Sequence, residues 1–248
     1  MSITFLYKNL IDNAVSIKES ATVSQYGTAY LWDNDINSAY RGTSGNGTTS
    51  ILFTFGSAVY MDSICCVSNL TTSGTLWLTA GTISSTLDFT TGVQLDGLGT
   101  SHKFFGNQGY QFWKINLFGV TAILKHQLNE VFLGKRLSIS EMPSYPMNNS
   151  VEENTVELTS ERGQKWIYSN YERESWIFNF EGINATTENN LYNMYKFVRK
   201  NTQPFFMALD PDNNPNDIKY VRFKENSLIS EEVTKNVFDV TLEVESEI

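Results

Sequence analysis

Apolar and polar residues alternate in short segments of the first half of the chain, and this pattern constrains the fold more than any other feature. In residues 51–55, Ile51, Phe53 and Phe55 fall on one side of an extended backbone, and residues 75–79 alternate in the same way. Glycine-rich clusters, each predicted to form a turn, interrupt these segments at residues 42–47, 69–74, 92–99 and 106–109. Short strands joined by glycine-rich turns are typical of a β-sandwich or a barrel.

The composition changes after Arg136, and a second domain is predicted beyond this point. Residues 142–149 contain two prolines and show no strand periodicity, which indicates a connector. Alternation resumes further along, where Trp176, Phe178 and Phe180 share one face of a predicted strand. The sequence therefore predicts three parts: a domain at residues 1–136, a connector at residues 137–149 and a domain at residues 150–248.

One segment of the second domain has the period of a helix instead of a strand. Thr186 or Thr187 is predicted to cap the N-terminus of this helix, and Glu188 places an acid in its first turn. Apolar residues then recur at steps of three and four, and the helix is predicted to end before Pro204. The predicted order of this domain is two strands, one helix and three strands, an α+β unit built on antiparallel pairs.

Charge is distributed unevenly along the chain, and it argues against nucleic-acid binding. The formal net charge is −9, and residues 137–248 hold ten Lys and Arg against nineteen Asp and Glu. Such a surface repels phosphate backbones, so no nucleic-acid partner is predicted. The N-terminus lacks a basic start and an unbroken apolar core, and no stretch reaches the roughly 18 apolar residues that span a bilayer. We therefore predict neither a signal peptide nor membrane insertion.

Residues suited to catalysis or metal binding are few. The only histidines, His102 and His126, fall in a polar turn and just before a strand, and no common catalytic or metal-binding motif occurs. Residues 210–217, DPDNNPND, lack the central glycine and distal glutamate of an EF-hand and are predicted to form a rigid hairpin loop. Cys65 and Cys66 are adjacent, which favours two buried thiols in a strand over a disulfide. The sequence favours a protein without enzyme activity, cofactor or metal.

Two aspartates stand close together in the segment YLWDNDINSAYRG, residues 30–42. Asp33 and Asp35 could form the carboxylate pair of a glycoside hydrolase. A spacing of two within a loop more often places aspartates where they accept hydrogen bonds from backbone amides. We therefore predict a structural role for this pair.

Three side chains in or near the same segment are candidate ligand-binding residues. Tyr26, Trp32 and Arg41 are aromatic or cationic and lie in predicted loops. Side chains of this kind stack on sugar rings or anchor protein partners. A side chain that faces outward could bind a ligand in this way, whereas one that packs inside the domain would have a structural role.

The segment also resembles a loop of discoidin-type jelly rolls, the F5/8 type C or galactose-binding-like fold, whose pattern is A-x-D-G-D-x-N-T-x-W. Asp33, Asp35 and Asn37 match its acidic and asparagine positions, whereas Asn34 replaces the usual glycine and Tyr40 the usual tryptophan. Matches to the family's later strands follow in the same order at residues 51–56, 59–64 and 128–134. The resemblance implies a jelly roll in which this loop braces the fold and ligands contact loops at one end of the barrel.

The second domain resembles the tail-tip and distal-tail proteins of long-tailed bacteriophages, which have a tail-tube-like β-sandwich with one flanking helix. The matching features occur in the same order at residues 176–180, 190–200, 204–211 and 238–245. The resemblance implies a ring whose strands pair between subunits and which connects to other tail proteins.

These observations favour a non-enzymatic structural protein of a phage tail, assembled in the bacterial host cytoplasm and located in the virion. The C-terminal domain would form a ring or adaptor with other copies and with other tail proteins. The jelly roll would project from it and could contact a host surface glycan. Two alternatives stay open, a carbohydrate-binding module or adhesin and a glycoside hydrolase that uses Asp33 and Asp35.

Overall fold

A computed structural model describes residues 2–20, 26–42, 49–69, 74–95, 98–118, 127–144, 148–162, 164–199, 202–214 and 217–247 of the chain. His126, most of the predicted turns at residues 42–47 and 69–74, and part of the predicted connector lie outside these residues. The strands are β1 Ile3–Asn9, β2 Ser16–Glu19, β3 Tyr40–Arg41, β4 Thr49–Asn69, β5 Gly74–Gly81, β6 Phe89–Leu95, β7 Leu98–Phe118, β8 Gln127–Ile139, β9 Asn148–Thr159, β10 Lys165–Asn184, β11 Phe205–Leu209, β12 Ile218–Thr234 and β13 Val237–Ser246. One α-helix, α1 Ala185–Phe197, and two short 3-10 turns, Ile11–Asn13 and Thr28–Leu31, complete the described elements.

Contacts divide the chain into two units. The N-terminal unit comprises residues 4–137 and 208–218, and the C-terminal unit comprises residues 1–3, 138–207 and 219–248. The division after Leu137 lies near the boundary expected from the sequence. However, β8 continues to Ile139, where a connector was expected, because Ile139 is itself a buried strand residue.

The N-terminal unit is built from antiparallel strands in the order β6-β5-β7-β4-β8-β1, with β2 paired to β4 and β3 paired to β8. β4 and β7 are 21 residues long each, and their register places Ile51 opposite Ile115 and Phe53 opposite Trp113. All four side chains are buried, so the alternation in residues 51–55 forms the centre of the core. The predicted mainly β fold is confirmed, and the antiparallel arrangement is consistent with a jelly-roll sandwich.

Two of the predicted turns are shorter or absent. β6 continues to Leu95 and β7 begins at Leu98, so Gly92 and Gly99 belong to strands. Residues 106–109 lie inside β7, near the point where its register against β4 shifts. The extra residues form a bulge, which bends a strand without ending it, and glycine is common at such places. The same glycines that predict a turn therefore mark an irregularity within a longer strand.

The C-terminal unit has the strand order β11-β12-β13-β10-β9, and its elements follow the predicted sequence of two strands, one helix and three strands. β10 pairs antiparallel with β13, and Phe178 stands opposite Leu242. Trp176, Phe178 and Phe180 are all buried on the face that the alternation predicts. The helix α1 packs against β10 and β13.

The helix α1 begins earlier than predicted. Asn184 is its N-cap, because Asn184 Oδ1 accepts hydrogen bonds from the backbone amides of Thr186 at 2.9 Å and Thr187 at 3.0 Å. The predicted cap at Thr186 or Thr187 is wrong, since asparagine caps as well as threonine and stands one residue outside the helix. The side chains that α1 and its C-cap bury are the predicted ones, Leu191, Met194, Tyr195 and Val198. In the described part of the chain no helix has the length and apolarity needed to cross a bilayer.

Candidate functional site

The acidic loop before β3 is held closed by its own side chains. Asp33 Oδ1 accepts a hydrogen bond from the backbone amide of Asp35 at 3.1 Å, and Asp33 Oδ2 accepts one from the hydroxyl of Ser38 at 2.7 Å. Asp35 Oδ1 accepts one from the amide of Asn37 at 2.9 Å. Asn34 has a φ of 62°, a left-handed conformation that asparagine adopts more readily than most residues. Both carboxylates therefore hold loop backbone or side-chain groups.

A buried carboxyl group lies close to this loop. Glu130, on β8, is 3 % exposed, and its Oε2 has no hydrogen-bond partner among the described residues. Burial raises the pKa of Glu130 to about 9, the charge of Asp33 adds to the rise, and a hydrogen bond from the backbone of Asn34 opposes it. Next to it, Asn129 Nδ2 donates to the carbonyl of Ile36 at 2.8 Å. At neutral pH Glu130 is accordingly a neutral acid beside two loop carboxylates.

Two buried side-chain oxygen atoms on β8 lack a hydrogen-bond partner in the described part of the chain. They are Glu130 Oε2 and Asn129 Oδ1. Oxygen ligands of this kind suit hard cations such as Ca²⁺. No set of three His, Cys, Asp or Glu side chains in the described ranges lies close enough to hold a metal ion. That the protein needs no metal stays a prediction.

Glu130 belongs to no catalytic or metal-binding motif, yet the sequence around it contains a signal. Residues 128–133 read LNEVFL, and a glutamate in such an apolar strand is seldom fully buried without a partner. Glu130 also lies within residues 128–134, the segment that resembles the last strand of the jelly-roll pattern.

The three candidate ligand-binding side chains fall into two groups. Trp32 is half-buried against the core, and its ring meets that of Phe53 edge-on at 6.4 Å between centroids. The guanidinium of Arg41 lies 4.2 Å from the ring centroid of Tyr26, and the Arg41 backbone amide donates to the Tyr26 carbonyl at 3.2 Å. Trp32 thus contributes to packing, and Arg41 covers one face of the Tyr26 ring.

His102 and the two cysteines share the centre of the N-terminal unit. His102 lies in β7 opposite Cys65, not in the predicted turn, and it packs on Phe104 at 4.7 Å between ring centroids. Burial lowers the pKa of His102, and the charge of Lys103 lowers it further. Cys65 and Cys66 are fully buried, and burial raises the pKa of Cys66 to about 12. Neither thiol is therefore a ready nucleophile at neutral pH.

A separate cavity of about 360 Å³ opens on the N-terminal unit. Its wall combines two lysines, one tyrosine and three apolar residues, Lys8, Leu10, Ala58, Val59, Tyr60 and Lys135. These residues come from β1, the residue after it, β4 and β8. The sequence gives no signal for this cavity, because its members are far apart in the chain and none belongs to a motif.

Tyr60, the one aromatic residue among the described residues of the cavity wall, is 55 % exposed. In the register of β4 and β7 it stands opposite Gly109, and a Cβ at that glycine would lie 2.6 Å from the tyrosine ring. The missing side chain at Gly109 therefore lets the ring lie over β7. The Lys135 ammonium is 5.5 Å from the ring centroid. An exposed ring beside the Lys135 ammonium, in a cavity whose wall also includes Lys8, suits a ligand with both a C–H surface and anionic or hydroxyl oxygens.

No protein-family model and no curated protein matches the sequence. Similar solved structures include the CBM32-1 and CBM32-2 domains of Clostridium perfringens ZmpB in complex with GalNAc, at 19 % identity over 50 % of this chain and 34 % of that chain, with a TM-score of 0.41. A chitosan-binding module of a Paenibacillus sp. IK-5 chitosanase/glucanase is 15 % identical over 51 % and 98 % of the two chains, at 0.42.

A Streptococcus pneumoniae fucose-binding module is 12 % identical over 52 % of this chain and 95 % of that module, with a TM-score of 0.42. The chain spans about a third of the ZmpB fragment and almost all of the other two modules. None of the three is described as a phage tail protein. Similarities at this level establish neither the function nor the ligand of this chain.

Proposed function

We propose that this protein is a non-enzymatic saccharide-binding protein whose cavity beside Tyr60 takes an acidic mono- or disaccharide. The observation that carries the proposal is the exposed Tyr60 ring in the wall of a cavity that also holds Lys8 and Lys135. The C–H face of a sugar packs on an aromatic ring, while the ammonium groups donate to hydroxyl and carboxylate oxygens. A volume of about 360 Å³ falls within the range of small-molecule sites.

Charge favours an acidic sugar over a neutral one. Two of the six lining residues are lysines, and no aspartate or glutamate is among them. A carboxylate or sulfate on the sugar adds charge-assisted hydrogen bonds, which are roughly twice as strong as neutral ones. The proposal therefore names uronic-acid or sulfated saccharides as the ligand class.

Isothermal titration with a uronic-acid disaccharide and its neutral counterpart tests the proposal. We expect the acidic sugar to bind more tightly at low salt, and Tyr60→Ala to weaken its binding about tenfold or more because the stacking surface is lost. Lys135→Ala should weaken the acidic sugar more than the neutral one. Gly109→Ala should weaken both sugars, because the new methyl group displaces the tyrosine ring.

Matched variants separate this cavity from other aromatic positions of the unit. Tyr30 is 38 % exposed elsewhere on the N-terminal unit, and Tyr30→Ala should leave affinity unchanged. Arg41→Ala removes the group that covers Tyr26 and should likewise have no effect. If Arg41→Ala loses saccharide binding while Tyr60→Ala retains it, the ligand binds at the loop near Arg41, and the proposal is wrong.

A second candidate function is that of a structural protein of a phage tail. It is favoured by the part of β10 from Lys165 to Glu174, which pairs with β9 but not with β13 and forms a long two-stranded ribbon. A protein built to assemble leaves such surfaces open until its partners bind. We expect light scattering and negative-stain imaging of the purified protein to show assemblies larger than a monomer, alone or with other tail proteins. A monomer that binds no other virion protein would exclude this function and leave the saccharide proposal unaffected.

A further inference from the structure

The C-terminal unit carries a two-stranded ribbon that extends beyond the paired part of its sheet. β13 pairs with β10 only from Ser175 to Asn184. From Lys165 to Glu174, β10 pairs with β9 alone among the described strands, over Val151 to Thr159. We call this ribbon the arm; at about 3.3 Å per residue its ten β10 residues extend about 30 Å. An isolated two-stranded ribbon is marginally stable in water, so an extension of this length indicates a surface that another chain covers.

One face of the arm is apolar and exposed. Directly opposed residues of an antiparallel pair lie on the same face, and the register opposes Trp166 to Leu158 and Tyr168 to Val156. These four side chains are between 41 and 55 % exposed. A contiguous exposed patch of aromatic and aliphatic side chains is typical of an interaction site.

The opposite face of the arm exposes Ile167 as well, and the arm as a whole carries an excess of acidic residues. Residues 148–175 hold six glutamates against three lysines and arginines, and β9 itself has three glutamates and no basic residue. Lys165 is engaged with Glu157 at 2.5 Å, and Arg173 with Glu245 at 3.2 Å. Two of the six glutamates are engaged as well, Glu157 with Lys165 and Glu174 with Lys219 at 3.4 Å, so Glu152 and Glu153 supply the acidic character of β9.

β9 is the last strand in the order of the C-terminal unit, and no strand of the described ranges pairs with its outer edge, where a further strand could add. Charged residues on an edge strand oppose pairing with an identical edge, because like charges would stand opposite each other. Successive side chains of an added strand point to opposite faces of the sheet. A strand in which lysine or arginine alternates with apolar residues would therefore place its cations beside the glutamates of β9. Its apolar side chains would lie on the other face, beside Trp166 and Leu158.

We infer that the arm is a docking site for a different protein, and that it binds a basic β-strand by strand addition to β9. Backbone hydrogen bonds along β9 supply affinity, the apolar face supplies the buried area, and the glutamates select a cationic partner over a second copy of this chain. The inference concerns the C-terminal unit alone and does not rest on saccharide binding by the N-terminal unit. It deepens the second candidate function by naming the segment and the chemistry of its partner.

Synthetic peptides of 12 residues provide the probes for the full-length protein. We expect a peptide of alternating Lys and Val to bind at least about tenfold more tightly than one of alternating Glu and Val or of alternating Lys and Ser, because only the first combines charge and apolar side chains. Its binding should protect β9 amides from hydrogen exchange. Failure of the Lys-Val peptide to bind more tightly than the Lys-Ser peptide would overturn the inference.

Variants of the arm and matched variants elsewhere localise the site. Leu158→Thr keeps a strand-forming residue and should weaken the Lys-Val peptide about tenfold, and Glu153→Lys should weaken it about fivefold at low salt but not at high salt. The controls on β12, Ile229→Thr and Glu225→Lys, change exposed residues of the same kinds and should not alter binding. Circular dichroism and thermal unfolding verify that each variant is folded.

Analytical ultracentrifugation tests whether a second copy of this chain, and not a different protein, covers the arm. We expect any self-association of the protein to persist in Leu158→Thr and Glu153→Lys, because the arm does not mediate it. A dimer that dissociates in Leu158→Thr would show that a second copy covers the arm and would overturn the choice of a basic partner.

Discussion

Replacing Glu130 by glutamine should stabilise the protein in alkaline solution and flatten the dependence of its stability on pH. In the folded state the pKa of Glu130 is raised from 4.5 to about 9, mainly by burial and next by the charge of Asp33. Between these values the unfolded chain has released the proton that the folded protein retains. Stability that is fully present below pH 4.5 is therefore lost as pH rises toward 9.

The size of this effect follows from the difference between the two pKa values. One pKa unit corresponds to about 1.4 kcal/mol, so the wild type should lose on the order of 5 kcal/mol of unfolding free energy between pH 5 and pH 9 through this group. Glutamine has nearly the same shape and carries no charge, so this contribution disappears. Urea unfolding of the wild type and of Glu130→Gln at pH 5, 7 and 9 measures the difference.

Two further measurements control the Glu130 experiment. Glu153 is exposed on β9, and Glu153→Gln should leave the pH dependence as in the wild type. Adding calcium tests whether Glu130 binds a cation instead of a proton. If millimolar Ca²⁺ raises the melting temperature of the wild type at pH 8 but not that of Glu130→Gln, the carboxyl group binds a cation in its ionised form. The predictions of a neutral Glu130 and of no metal would then both be wrong.

Replacing Trp113 by alanine should destabilise the N-terminal unit by about 3–5 kcal/mol. Its side chain is fully buried, and its ring lies 5.8 Å from Tyr110, 6.0 Å from Phe89 and 6.2 Å from Phe105 between centroids. The indole N–H donates to the Tyr110 carbonyl at 3.0 Å. Alanine would leave a cavity among three aromatic rings and a carbonyl without this donor.

Trp77 offers the matched control for Trp113, because it is 41 % exposed on β5 and packs over Gly92. Trp77→Ala should cost about 1 kcal/mol, as expected for a side chain that keeps much of its contact with water. Urea unfolding followed by circular dichroism compares the two variants. If both variants lose the same amount of unfolding free energy, the burial of Trp113 is not a dominant contribution to the stability of this unit.

The sequence predicts the parts of this fold that depend on local periodicity. The alternation at Ile51, Phe53 and Phe55 identifies core residues because successive side chains of a strand point to opposite faces. The helical period identifies the buried face of α1, because side chains three and four residues apart lie on the same face of a helix. Where a strand ends is harder to predict, since glycines at a bulge and glycines in a turn look alike until the opposing strand is known.

The sites depend on contacts between distant segments, and for this reason the sequence predicts little of them. Lys8, Tyr60 and Lys135 meet only because β1, β4 and β8 lie together. The exposed apolar face of the arm follows from the register of β9 against β10. For Trp32 the sequence leaves packing and exposure equally open, and its position edge-on to Phe53 depends on a strand that is distant in the chain.

The burial of both cysteines has a practical consequence for single-molecule and spectroscopic work. The chain has two cysteines, and both lie inside β4 with no exposed surface. A maleimide reagent meets neither thiol while the protein is folded, so the native residues need not be removed before labelling. A cysteine introduced at an exposed position of β9 would carry a dye or spin label at a single known point, and a second label on an added peptide would then report the distance between the two.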